Sequence, residues 1–171
     1  MASRKTHVAA ASVGFMLSTL GHAISRRFHR ALEPLELHPR EFAVLRAVKV
    51  NDGQSQQTLA ERLHIPPSRI VAIVDELESR GLVERRPDPS DRRLRTLYVT
   101  GHGQTLLDDA FNLVVQHERT ISAALTAKER VQLLELLNRI AAGLDLPTDV
   151  HSALGDGDRR GRLSRAGRGD D

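Results

Sequence analysis

The sequence contains no cysteine and no tryptophan, and only five aromatic residues, Phe15, Phe28, Phe42, Tyr98 and Phe111, in 171. Without thiols there is no disulfide scaffold, no cysteine-ligated zinc, no thiol redox sensor and no cysteine nucleophile, and the composition suits a reducing compartment. Lysine is scarce, with 3 against 22 arginines, a bias that favours planar bidentate contacts over diffuse positive charge. No apolar run approaches bilayer length, and no signal-peptide core precedes a cleavage pattern. A soluble, cytoplasmic protein with no membrane association is therefore expected.

What remains is an ordinary globular composition, 40% apolar and 27% charged, in a chain whose length fits one domain. That domain is expected over residues 1–150. Residues 151–171 are glycine- and arginine-rich with almost no apolar side chains, and cannot offset the entropy of ordering, so a flexible tail is expected there. Charge is unevenly placed. Between Arg80 and Arg95 six arginines face three acids, so this one stretch accounts for the whole net charge of +3.

Phe15, Leu17, Leu20, Ile24, Phe28 and Leu32 recur at helical steps and predict a long amphipathic helix over 12–32 that stops near Pro34. Pro39 opens a second helix with Phe42, Leu45 and Val48 inward, and Asn51-Asp52-Gly53 ends it as a turn. A short helix follows to Leu63, with Ser55 as its N-cap, and His64-Ile65-Pro66 breaks it. The next helix starts at Pro67, places Ile70, Ile73, Val74 and Leu77 on one face, and stops at Gly81. Two helices joined by so short a turn predict a helix-turn-helix. Leu82–Arg86 and Leu94–Thr100 then change to a two-residue period around Pro87-Asp88-Pro89-Ser90-Asp91, which predicts a β-hairpin with an arginine-rich tip. A long helix follows Thr100, and Thr126-x-x-Glu129 forms a capping box that opens the last one, carrying Leu133, Leu134, Leu137, Ile140 and Ala141.

On the helix beginning at Pro67, Ser68, Ala72 and Ser79 lie opposite the apolar face. A small, polar first turn can enter a major groove, where Arg69 can pair with guanine, Ser68 with a base or phosphate, and Ala72 with a thymine methyl. An ordinary solvated face is the bland alternative, and Asp75, Glu76 and Glu78 favour it because they repel phosphates. Behind this helix, Arg92 and Arg93 at a hairpin tip suit a narrow minor groove, with Asp91 orienting them. Arg85, Arg86 and Arg95 on the flanking strands suit phosphates or internal ion pairs. Ser55 and Pro67, at the starts of the two helices, complete the expected DNA-facing set.

The run Leu59-Ala60-Glu61-Arg62-Leu63, Ile65-Pro66-Pro67-Ser68-Arg69-Ile70, Val74-Asp75-Glu76-Leu77-Glu78, Gly81-Leu82-Val83, Asp91-Arg92-Arg93 and Val99-Thr100 resembles the winged helix-turn-helix core of the MarR family of transcription regulators. The resemblance extends over about residues 12 to 144. It implies a mainly α fold with a small β-hairpin wing, in which a DNA-binding core over 39–100 is joined to a dimerisation region formed by helices 12–32, 101–125 and 127–143. It further implies a homodimer that binds double-stranded DNA, represses, and releases DNA when a small aromatic or anionic ligand enters a crevice. In that family the first two helices line the crevice, which brings His22, Arg26, His29, His38 and Phe42 forward as ligand candidates. Each histidine could equally cap a helix or lie on the surface, His38 before Pro39 above all. The absence of cysteine excludes the peroxide-sensing branch, and the tail has no counterpart.

No enzyme is expected, because no nucleophile with a base, paired carboxylates or phosphate-cradling loop is present, and Gly101-His102-Gly103 is too short for a dinucleotide fingerprint. No metal or cofactor is expected either. His22 and His29 are seven apart and His117-Glu118 adjacent, so neither pair has the spacing of a helical zinc site. The alternative function is a dimeric winged-helix scaffold that binds a protein partner without reading sequence.

Overall fold

The computed structural model describes residues 12–88 and 94–146. The expected hairpin tip with Asp91, Arg92 and Arg93, and the expected tail over 151–171, lie outside them. Helix α1 spans Val13–Leu32 and starts at Ser12, whose Oγ accepts from the Phe15 amide at 3.2 Å. A short 3-10 turn, Glu33–Leu35, leads to α2, Pro39–Val50. There follow strand β1 (Gln54–Ser55), α3 (Gln56–Arg62), α4 (Pro67–Ser79), β2 (Val83–Pro87), β3 (Arg95–Val99), α5 (Gly101–Ile121) and α6 (Ala127–Gly143). The fold is mainly α with a small antiparallel sheet, as the residue pattern predicts.

One core joins these elements. Leu32 of α1, Val44, Leu45 and Val48 of α2, Leu59 of α3, Ile70, Val74 and Leu77 of α4, Leu97 of β3 and Leu107 of α5 are all fully buried. Removing that apolar area from water is what holds helices of this length in place, since none is stable by propensity alone. The sheet has the order β1-β3-β2, with Arg85 opposite Leu97 and Pro87 opposite Arg95. Strand β1 has no counterpart in the sequence pattern. Two residues are too few to alternate, and the strand exists because Gly53, at φ 85°, turns the chain so that its amide donates to the Leu97 carbonyl at 2.9 Å.

One boundary and the burial of two helices differ from the sequence pattern. Helix α5 stops at Ile121 rather than near residue 125, where the buried Ser122 hydroxyl donates to the Glu118 carbonyl at 2.8 Å and the chain turns. Only Phe28 and Leu32 of the apolar stripe on α1 are buried, while Phe15 and Leu20 are about half exposed. Helix α6 buries no residue at all. The apolar stripes of both helices, assigned to dimerisation by the family resemblance, are left largely uncovered by the other described residues.

Candidate nucleic-acid interface

Helix α4 is seated by its apolar face and by both its ends. Pro66 and Pro67 fix the entry, and Ile65 is tied back by an amide bond to the Ala60 carbonyl at 3.0 Å, made possible by His64 at φ 51°. At the far end Gly81, at φ 66°, donates to the Glu78 carbonyl and Leu82 to the Leu77 carbonyl, each at 2.9 Å. This is a Schellman motif, and its two hydrophobic partners, Leu77 and Leu82, are both buried. Held in this way, α4 turns Ser68, Val71 and Ala72 to solvent, with Arg69 half-buried beside them.

Val71 was absent from the sequence reading. An exposed valine out of step with the stripe of Ile70, Ile73, Val74 and Leu77 is the signal that could have found it. It borders a groove of about 690 Å³ between α3 and α4, with Gln57, Ala60, His64 and Pro67. Ser55, expected at the interface, is the N-cap of α3: its Oγ accepts from the Thr58 amide at 3.1 Å and shares a hydrogen bond with the Thr58 hydroxyl.

The arginines of the hairpin divide. Arg86 is exposed, paired with Glu84 and lying over the Tyr98 ring at 4.5 Å, and the Glu84 hydrogen bond raises its pKa further above the usual guanidinium value. Arg95 is exposed at the start of β3. Arg85, the third strand arginine expected to face DNA, is instead turned inward, paired with Asp75 and Glu78 of α4. That is the internal ion-pair role the sequence left open. Asp91, Arg92 and Arg93 lie outside the described residues.

The five ligand candidates divide between α1, with His22, Arg26 and His29, and the start of α2, with His38 and Phe42. His29 stands 3.7 Å from Glu33 and its ring meets that of His38 edge-on at 5.3 Å. The His38 amide, at the N-cap of α2, donates to the Glu41 carboxylate at 2.8 Å, so the residue marks the helix start as its place before Pro39 implies. Phe42 is buried, edge-on to Phe28 at 6.0 Å and to Phe111 at 5.6 Å. His22 and Arg26 are exposed on α1. His117, which sequence reasoning set aside, joins the aromatic group at 5.7 Å from Phe28, with Nε2 buried and without a hydrogen-bond partner among the described residues. Burial, then the nearby Arg27 charge, lowers its pKa below the usual histidine value. No group of three metal-binding side chains occurs among the described residues.

Residues 35–94 match the model of the MarR family. A protein assigned to regulation of the hcr operon in Thauera aromatica is 33% identical over 132 residues, which is 77% of this chain and 80% of that one. The chain belongs to the MarR family. It is thus a winged-helix transcription regulator and not an enzyme. Among solved structures, the transcriptional repressor CouR bound to a 23-mer DNA duplex superposes with a TM-score of 0.70 at 34% identity, over 77% of this chain and 94% of that one. CouR from Rhodococcus jostii RHA1 bound to p-coumaroyl-CoA matches with a TM-score of 0.66 at 34% identity, over 78% of this chain and 94% of that one.

Proposed function

We propose that this MarR-family protein is a cytoplasmic, sequence-specific repressor that binds a pseudo-palindromic operator as a homodimer and is released by a small aromatic or anionic ligand. The observation that carries the DNA reading is the seating of α4: four apolar residues are buried behind it, and a small polar first turn is left outside. Such a turn fits the major groove, with Ser68 and Ala72 at base edges and Arg69 able to make a bidentate contact to guanine. In this reading Arg92 and Arg93, braced by Asp91, enter the adjacent minor groove, and Arg86 and Arg95 neutralise phosphates. The CouR complexes with a duplex and with p-coumaroyl-CoA support both partners by likeness. Residues 1–150 are taken as the single domain.

A two-fold dimer places its half-site centres about one helical turn, roughly 10 base pairs, apart. The test is selection of bound duplexes from a random pool by the full chain, repeated with aromatic acids added. Recovery of a pseudo-palindrome, with affinity that falls steeply as salt rises, is the expected result. Recovery of no preferred sequence would leave the scaffold function in its place.

A further inference from the structure

Strand β2 carries two adjacent arginines with opposite surroundings. The Arg86 side chain is 55% exposed, whereas that of Arg85 is only 19% exposed. All three guanidinium nitrogens of Arg85 are engaged: Nη2 lies 2.5 Å from the Asp75 carboxylate, Nη1 bonds Glu78, and Nε donates to the Gln56 side-chain oxygen at 3.3 Å. The Arg85 backbone amide also donates to Glu78 at 3.2 Å. Helix α3, through Gln56, helix α4, through Asp75 and Glu78, and the wing strand itself therefore meet at one planar group.

We propose that Arg85 is a positioning residue for DNA recognition, fixing the angle between α4 and the wing so that both reach one duplex together, without touching the duplex itself. This rests on the DNA reading above. Two observations favour it over a phosphate contact. The first is that no guanidinium nitrogen of Arg85 is left without a protein acceptor. The second is Asp75, whose side chain is 58% exposed on α4. A carboxylate so close to a phosphate backbone repels it, unless its charge is balanced where it stands; Arg85 balances it and turns it into part of a brace. Geometry makes the arginine hard to replace. Its flat fork aims separate N–H groups at separate acceptors on two helices, while lysine offers a single compact charge.

The test measures affinity of the full chain for its selected duplex and for a scrambled duplex of equal length, in the wild type, Asp75→Ala, Asp75→Asn, Arg85→Ala and Arg85→Lys. Thermal melting checks that each variant is folded. A brace predicts that removing the Asp75 charge weakens binding to the selected duplex by about tenfold, although a negative charge near the DNA has been lost. It also predicts that Arg85→Lys, which keeps the positive charge, loses as much as Arg85→Ala, with the preference for the selected duplex falling in each. Tighter or unchanged binding by both Asp75 variants, or wild-type binding by Arg85→Lys, would overturn the proposal. A wild-type chain that selects no duplex overturns the DNA reading and this one with it; a selecting wild type with indifferent variants overturns only the brace.

Discussion

Glu41 makes two bonds that the helix it sits on does not need equally. Its Oε2 accepts the His38 amide at 2.8 Å, closing the start of α2, and lies 3.4 Å from Arg80 at the end of α4, whose other nitrogen reaches the Leu35 carbonyl at 3.5 Å. With the carboxylate only 6% exposed, removing it leaves Arg80 half-buried without its partner. Glu41→Ala is expected to cost about 3 kcal/mol in denaturant unfolding, and Glu41→Gln less, since an amide oxygen keeps the cap. His117 acts through its proton. Its folded pKa lies below the ordinary 6.5, so the native state takes up the proton at lower pH than the unfolded chain does. Its contribution to stability is complete above about pH 6.5 and is lost as pH falls through the folded value. His117→Phe should flatten that acid limb relative to wild type in melts from pH 7.5 to 5; parallel curves would remove His117 as its source. Arg69→Ala is expected to cost about 1–3 kcal/mol at a single base pair of the operator. Equal losses on selected and random duplexes would mean that it reads no base.

Among the elements, the junction between wing and α5 is closely packed. Thr100 caps α5, its Oγ1 accepting from the Gly103 amide at 3.0 Å and donating to the Gly81 carbonyl at 2.6 Å. A Cβ on Gly103 would stand 2.1 Å from the Leu82 carbonyl oxygen and 2.9 Å from the Val99 side chain. Since Leu82 and Gly81 also terminate α4, a shift here moves the recognition helix and the wing together. Gly103→Ala should cost about 3 kcal/mol and depress DNA affinity along with stability, as read by melting and by duplex titration. In the sequence these glycines looked like a plain approach to a helix. Nothing local distinguishes a glycine needed for close packing from one in a loop, because the nearest atom, the Leu82 carbonyl oxygen, comes from the turn that ends α4, some twenty positions earlier. The helix caps were legible, by contrast, at Ser55 and Thr126, where the cap and the amide it satisfies are three residues apart.

At the scale of the molecule, one copy is visibly incomplete. Phe15, Leu20, Phe111, Leu133, Leu134 and Ile140 on the first and last two helices are exposed, with Leu134 at 60%. Apolar surface of that extent on helices that are otherwise well formed marks an interface, and the homodimer proposed above would cover it. Leu134→Glu is therefore expected to shift the chain toward monomer in sedimentation and to abolish tight operator binding, because a single wing and helix reach only one half-site. A stable dimer in that variant would place the interface elsewhere.

The sequence alone determined the helix faces, the caps, the hairpin and the family, because periodicity, capping and turn chemistry act between residues no more than about seven apart. Tertiary structure alone decided that Arg85 faces inward while Arg86 faces out, that Val71 stands free of the core, that His117 joins the aromatic cluster, and that much of the apolar faces of α1 and α6 is left uncovered by the other described residues. Each of those depends on which distant segment lies opposite, and the residue pattern of an element is the same whether its partner is the remainder of the chain, a second copy or a duplex.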